Sequence, residues 1–285
     1  MEEKLERIRD AIKLAKRSRD VSGSPSALGP RPIIHPTNPQ QAVYPGLSHD
    51  LAQSSLRMVQ TNRKHLEENR IVGHLSDGIG TIPFEILRTK VIQEMTAQGW
   101  TVLVVTSPTQ GCGKTVTAIN LALSMAKLQG RLVYLVDMDL RKPAIAKYLG
   151  VPKLPGFNDY LYGKVEAGET LFNIDVAGQK LNIACNWDVT SNPAEAMASQ
   201  HVTEFLNYLK KRQEQAIIIV DLPPLLVSDD VMSILPLADC CLLTVAENLS
   251  TSHDVVNCEE LLATTNFLGC VYNKSREVNK NQYYY

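Results

Sequence analysis

Thr101 to Leu128, TVLVVTSPTQGCGKTVTAINLALSMAKL, constrains the fold more than any other stretch of this 285-residue chain. Val102 to Val105 make an apolar run of strand length, and Ile119, Leu121, Ala122, Leu123 and Met125 follow in a helical pattern. Between them stands Gly111-Cys112-Gly113-Lys114-Thr115-Val116. Small residues at a strand-to-helix turn let backbone N–H groups approach an anion, and the helix N-terminus adds its dipole. Lys114 can reach outer phosphates, and the Thr115 hydroxyl can take one coordination position on Mg2+. This is the back half of a phosphate-binding loop. The front half departs from G-x-x-x-x-G-K-[ST], because Pro108 stands where the first glycine belongs.

Two later apolar runs end in carboxylates. Leu132 to Val136 leads into Asp137-Met138-Asp139-Leu140-Arg141, and Ile217 to Val220 leads into Asp221-Leu222-Pro223-Pro224. Carboxylates at the C-terminal ends of parallel strands face the crevice where α/β sheets take their ligands. A single Asp there is better read as the cap of a turn or helix. Three of them behind a Gly-Lys-Thr loop suit a Mg2+ ion, which prefers hard oxygen donors.

Composition sets the outer limits. With 44% hydrophobic and 21% charged residues, the chain can bury one large α/β core and carry extensions. A formal net charge of -1 gives no reason to expect nucleic acid as a partner. The six cysteines form no C-x-x-C pair and read as small buried residues of a reducing compartment. Cys112 lies inside the loop, where a small inert filler is the better reading than a redox switch. The first residues are charged and lack a signal-peptide core, and no uncharged run approaches spanning length. A cytoplasmic location is therefore expected.

Along the chain, residues 1–20 read as a short amphipathic helix with Leu5, Ile8, Ile12 and Ala15 on one face, suited to a membrane surface, a partner or its own domain. Residues 21–48 are rich in Pro, Gly and Ser and read as a flexible linker. Residues 49–98 form a helical lead-in. Its first half is a polar helix with Leu51, Leu56, Met58, Val59 and Leu66 as packing positions, and its second runs from Pro83 to a stop at Gly99. Residues 99–275 alternate strands and helices as a mostly parallel central sheet flanked by helices. Within them, 156–182 reads as irregular apart from a helix near 158–162, and Pro193 to Lys211 as one amphipathic helix. Residues 276–285 form a tail ending Tyr283-Tyr284-Tyr285.

Taken together, these residues resemble the bacterial tyrosine kinases of capsule and exopolysaccharide synthesis. Those kinases belong to the deviant phosphate-loop ATPases, a P-loop NTPase class that includes the partitioning and cell-division-site proteins. The resemblance covers roughly Ile82 to the C-terminus. It rests on Ser107-Pro108 before the Gly-Lys pair, on D-x-D-x-R at Asp137, Asp139 and Arg141, and on D-x-P-P at Asp221. It implies an ATP-dependent autokinase using Mg2+. Lys114 would hold the β- and γ-phosphates, with Gly111, Cys112, Gly113 and Val116 completing the loop. Thr115, Asp139 and Asp221 would serve the metal, and Asp137 would orient or deprotonate the incoming tyrosine hydroxyl. Arg141 would neutralise charge, Asn273 would contact adenine, and Tyr283, Tyr284 and Tyr285 would accept phosphate, usually on a neighbouring copy.

One departure concerns assembly. These kinases carry E-x-x-R-x-x-R before the first core strand, used for ring-like self-association. Here Ile82 and Glu85 occupy the Glu and first Arg positions, leaving Arg88 alone. A membrane-bound polysaccharide co-polymerase is the expected activator. Two other readings stay open: a positioning ATPase that hydrolyses nucleotide without phosphorylating protein, and a non-catalytic nucleotide-binding adaptor of the export machinery. The D-x-D-x-R block, the tyrosine tail and the absence of a lysine at Thr109 or Gln110 favour the kinase over the first. Intact Lys114, Thr115 and three Asp count against the second.

Overall fold

The computed structural model describes residues 56–75, 80–128, 130–176, 178–212 and 216–275. The expected helix at 1–20, the linker at 21–48, Leu51 and the tyrosine tail lie outside the described residues. In chain order the elements are β1 (Arg57–Val59), α1 (Arg63–Glu68), α2 (Ile82–Gln98), β2 (Val102–Thr106), α3 (Lys114–Ala126), β3 (Val133–Asp137), α4 (Ile145–Leu149) and α5 (Phe157–Leu161). They continue with β4 (Phe172–Val176), β5 (Gln179–Ala184), α6 (Pro193–Met197), α7 (Gln200–Lys211), β6 (Ile217–Asp221), α8 (Val231–Ile234), β7 (Cys240–Ala246), α9 (Ser252–Leu261) and β8 (Asn266–Asn273).

The strands form one eight-stranded sheet in the order β1-β4-β5-β3-β6-β2-β7-β8. Every pairing is parallel except the β4–β5 hairpin. The three central strands β3, β6 and β2 are buried along their whole length, as a sheet covered on both faces requires. Alternation divides their side chains between two cores. Val102, Val104, Ile218 and Val220 face the layer containing Phe157, Phe205, Leu209 and Val255. Leu103, Val105, Ile217 and Ile219 face Val91, Met95 and the P-loop helix residues Ile119, Leu121 and Leu123. Helix α3 packs against α2 and the sheet, and twelve of its thirteen residues are buried. The α/β sheet expected over 99–275 is therefore present. Among the described residues no helix is long and apolar enough to cross a membrane.

Three local expectations need correction. Residues 57–59, read as part of a polar helix, form edge strand β1, paired in parallel with Phe172–Ile174. Val59 goes into the core and Met58 outward, an alternation that three residues are too short to show against a helical pattern. Phe172–Val176, read as irregular, is strand β4, which folds back on β5 through a turn holding Gly178 at φ 81°. Its Phe172 and Ile174 are buried in the core while Asp175 is exposed. Pro193 to Lys211 is two helices rather than one. Ser199 adopts extended backbone (ψ 151°), and its hydroxyl donates to the Ala196 carbonyl at 2.7 Å, so α6 closes before α7 starts.

Candidate active site

The loop after β2 is held from both sides. Its front half, turned by Ser107 and Pro108, is tied to the D-x-P-P segment: Leu225 N–H donates to Ser107 O at 2.8 Å and Leu226 N–H to Pro108 O at 3.1 Å. Proline brings no N–H to this exchange but leaves its carbonyl free to accept, so the absent first glycine does not open the loop. The back half turns through Gly113 at φ 94°. A Cβ there would lie 2.2 Å from Asn273 Nδ2, a clash only glycine avoids. Asn273, at the end of β8 and expected as an adenine contact, donates to the Cys112 carbonyl at 2.8 Å and so anchors the phosphate loop. The Cys112 thiol is buried, 3.4 Å from Ser250 Oγ and 3.6 Å from Thr109 Oγ1, and does not face the cleft.

The parallel sheet brings the three aspartates and Lys114 together. Asp137 and Asp221 are register partners at the ends of β3 and β6, and α3 begins with Lys114 beside them. Lys114 Nζ lies 2.8 Å from Asp139 Oδ2 and 3.2 Å from Asp221 Oδ1. Thr115 Oγ1 donates to Asp221 Oδ2 at 2.6 Å. Asp137 is placed differently from the other two. One oxygen accepts from Ala144 and Ile145 N–H at 2.9 and 3.0 Å, the other from Asp139 N–H at 3.2 Å, and Asn186 Nδ2 donates to its carbonyl. Asp137 thus underpins the segment, while Asp139 faces the cleft.

Arg141 reaches the cleft but arrives already paired. Its Nε and Nη2 grip the two oxygens of buried Asp230 at 2.7 and 2.8 Å, with Asp229 at 3.2 Å. The charge this arginine was expected to offer is largely spent on the 228–230 loop. Asp230 had no sequence signal of its own, since D-D in a loop is ordinary surface composition. Asn186 carries no local signal either, because it acts through a contact far away in sequence.

Lys114, Thr115, Asp139 and Arg141 line a cleft of about 780 Å³ together with Gly111, Gly113, Val116 and Asn273, and Asp137 and Asp221 lie buried behind them. Three buried carboxylates face one buried ammonium, and their protonation reflects that excess of negative charge. Burial, then the Asp221 charge, pushes Asp137 up to about 8. Burial also raises Asp221, with Lys114 pulling the other way. Burial works against the Lys114 charge, but Asp221 and Asp139 outweigh it and hold the ammonium firmly protonated. A site with surplus carboxylate, a Thr hydroxyl and room beside them fits a hard divalent cation such as Mg2+. Among the described residues no three His, Cys, Asp or Glu side chains are grouped to hold a metal alone, so phosphate or water oxygens would complete the shell.

This charge balance gives a pH signature. A carboxylate whose folded pKa is raised binds its proton more tightly in the folded state, so stability declines as pH rises toward that pKa. His74, lowered mainly by burial, acts in the opposite direction, but only up to its unfolded value near 6.5. Between about pH 6.5 and 8, below the range of unfolded thiols, the raised carboxylates supply the main pH dependence among the described residues. The melting temperature in EDTA should fall across that window. Asp137→Asn should flatten the slope, and an unchanged slope in that variant would refute the assignment.

The strand–loop–helix, the lysine and the carboxylates at the strand ends define a P-loop NTPase. The family model described as NUBPL iron-transfer P-loop NTPase, ParA, matches residues 100–282, and the chain belongs to this family of nucleotide-binding proteins. Its relatives include a tyrosine-protein kinase CpsD of Streptococcus pneumoniae, 29% identical over 188 residues that cover 64% of this chain and 79% of that one. Another is the tyrosine-protein kinase YwqD of Bacillus subtilis, 27% identical over 186 residues, 64% and 76% of the two chains. Among solved structures, the kinase domain of the Escherichia coli tyrosine kinase ETK superimposes with a TM-score of 0.67 at 22% identity, covering 75% of this chain and 84% of that one, a likeness of fold.

Proposed function

We propose that the chain is an ATP-dependent protein-tyrosine autokinase that moves the γ-phosphate of Mg-ATP to Tyr283, Tyr284 and Tyr285 of a neighbouring copy. The observation that carries this is that Lys114, at the cleft, pairs with both Asp139 of the D-x-D-x-R segment and buried Asp221 of the D-x-P-P segment, the two motifs that resemble the tyrosine kinases. The relatives' names point the same way.

Phosphoryl transfer asks chiefly for positioning and charge stabilisation. In this reading Lys114 leaves Asp139 and Asp221 for the β- and γ-phosphate oxygens. Thr115, Asp139 and Asp221 would hold Mg2+, which would neutralise charge on the phosphates. Asn273, which holds the loop through the Cys112 carbonyl, would also contact adenine. The tyrosine oxygen attacks the γ-phosphorus, the bond to the β-phosphate oxygen breaks, and the hydroxyl proton passes to a carboxylate. Asp137 is the candidate acceptor: a raised pKa makes its ionised form a strong base, and that ionised form has to be present when the tyrosine proton leaves. That role requires it to turn away from the Ala144 and Ile145 N–H groups when the cleft fills.

The process served is regulation of capsule or exopolysaccharide synthesis or export at the inner face of the plasma membrane, with a membrane-bound co-polymerase as activator. The ring motif's remaining arginine is engaged inside the chain: Arg88 Nη1 donates to the Ser124 carbonyl at 3.1 Å, at the C-terminal end of α3. Self-association in this chain then depends on other contacts. The test is the triple variant Tyr283→Phe, Tyr284→Phe, Tyr285→Phe. It should bind Mg-ATP as wild type does yet take up no phosphate, with wild-type phosphorylation rising more steeply than linearly with protein concentration. Undiminished phosphorylation of the triple variant would end the tail's role as acceptor.

A further inference from the structure

Among the described residues two arginines line the cleft, and only Arg141 is paired with carboxylates. We propose that the other, Arg70, is a phosphate-contacting residue of the nucleotide site, presented by a segment that Asn120 clamps to the phosphate-loop helix. It rests on the nucleotide-binding reading of the cleft and not on transfer to tyrosine.

Arg70 is exposed at the cleft wall, and its guanidinium makes no ion pair or hydrogen bond with a described residue. The backbone that carries it is fixed with unusual completeness. Asn120, wholly buried in α3, donates to the Arg70 carbonyl at 3.0 Å and to the Val116 carbonyl at 2.9 Å. Its Oδ1 accepts the N–H groups of Val72 and Gly73, both at 2.7 Å. Every hydrogen-bonding position of that amide is filled. Ile71 is wholly buried, and a Cβ on Gly73 would stand 2.3 Å from the Asn120 carbonyl oxygen, so segment and helix meet backbone to backbone.

This anchorage settles where Arg70 can act. Asn120 follows Thr115 by about 7.5 Å along the helix axis, at 1.5 Å per residue. An arginine held against Asn120 and opening into the same cleft can reach back to phosphates seated on the helix's first turn. Its backbone lies at φ 61°, a conformation that suits Gly or Asn better than a long side chain. Packing of the segment alone would be served by either of those. A planar guanidinium is what phosphate oxygens call for.

The same backbone supplies a clean variant. Arg70→Gly removes the guanidinium and relieves the left-handed conformation, so it should melt no lower than wild type in EDTA. By calorimetric titration of the full chain it should bind Mg-ATP about tenfold more weakly, the size of one charge-assisted hydrogen bond. Adenosine, titrated by ligand-observed NMR, should bind within about twofold of wild type, and Arg70→Lys should recover part of the ATP loss. Mg-ATP affinity unchanged in Arg70→Gly would overturn the proposal, as would an equal loss for adenosine, which would mark a nucleoside or indirect contact. A wild type that binds Mg-ATP but phosphorylates nothing leaves this proposal standing and ends the kinase reading. A wild type that binds no nucleotide ends both.

Discussion

Lys114→Met should reduce phosphotyrosine formation on the order of 10²–10³-fold or more, the scale for removing a principal stabiliser of transition-state charge. Its structural consequence is as diagnostic as the kinetic one. The ammonium is the counter-charge of both Asp139 and Asp221, at 2.8 and 3.2 Å. Removing one partner of a buried ion pair leaves uncompensated charge, costing on the order of 3–5 kcal/mol where nothing else adjusts. Here something can adjust, because Asp137 and Asp221 already have raised pKa values and can take up protons. The variant should therefore lose melting temperature steeply at pH 8 and much less near pH 6. A pH-independent loss would mean that Lys114 stabilises by packing rather than by charge.

Asp221→Asn should separate stability from activity in the opposite sense. Asp221 is wholly buried at the end of β6 and holds both the Thr115 hydroxyl and Lys114. Since its folded pKa is raised, ionisation of this group at neutral pH opposes folding, and a neutral isostere removes that opposition. The variant should melt no lower than wild type in EDTA. It should also lose a metal donor, with phosphorylation down about 10²-fold and Mg2+ no longer raising the melting temperature. Parallel losses of melting temperature and activity would show that the Asp221 charge is structural rather than held in readiness for a cation.

What the chain declared locally was the centre of the sheet. Val102–Val105, Ile217–Val220 and the Gly-Lys-Thr turn are contiguous signals, so the strand, loop and helix that position Lys114 were legible without any knowledge of partners. Asp137 and Asp221 were legible for the same reason, as each directly follows an apolar run. Elements whose structure depends on a distant partner were not. Strand β1 exists because Phe172–Ile174 lies beside it, and β4 because the chain turns back at Gly178 onto β5. The finer electrostatics were equally hidden. Nothing in D-x-D-x-R says that Arg141 closes on Asp230, or that Asn120 holds a segment some fifty residues upstream. Both are side-chain contacts between segments remote in sequence, which composition and periodicity do not encode.

The central claim is that Lys114 and its carboxylates transfer phosphate from ATP to protein tyrosine. The measurement that tests it most directly is intact mass with tyrosine-site mapping after incubation with Mg-ATP, comparing wild type, Lys114→Met and a chain ending before Tyr283. Phosphate is expected on Tyr283 to Tyr285 in wild type, none in Lys114→Met, and none on the truncated chain. ATP hydrolysis with no phosphate gained by wild type would contradict the claim and leave a nucleotide-hydrolysing positioning protein in its place.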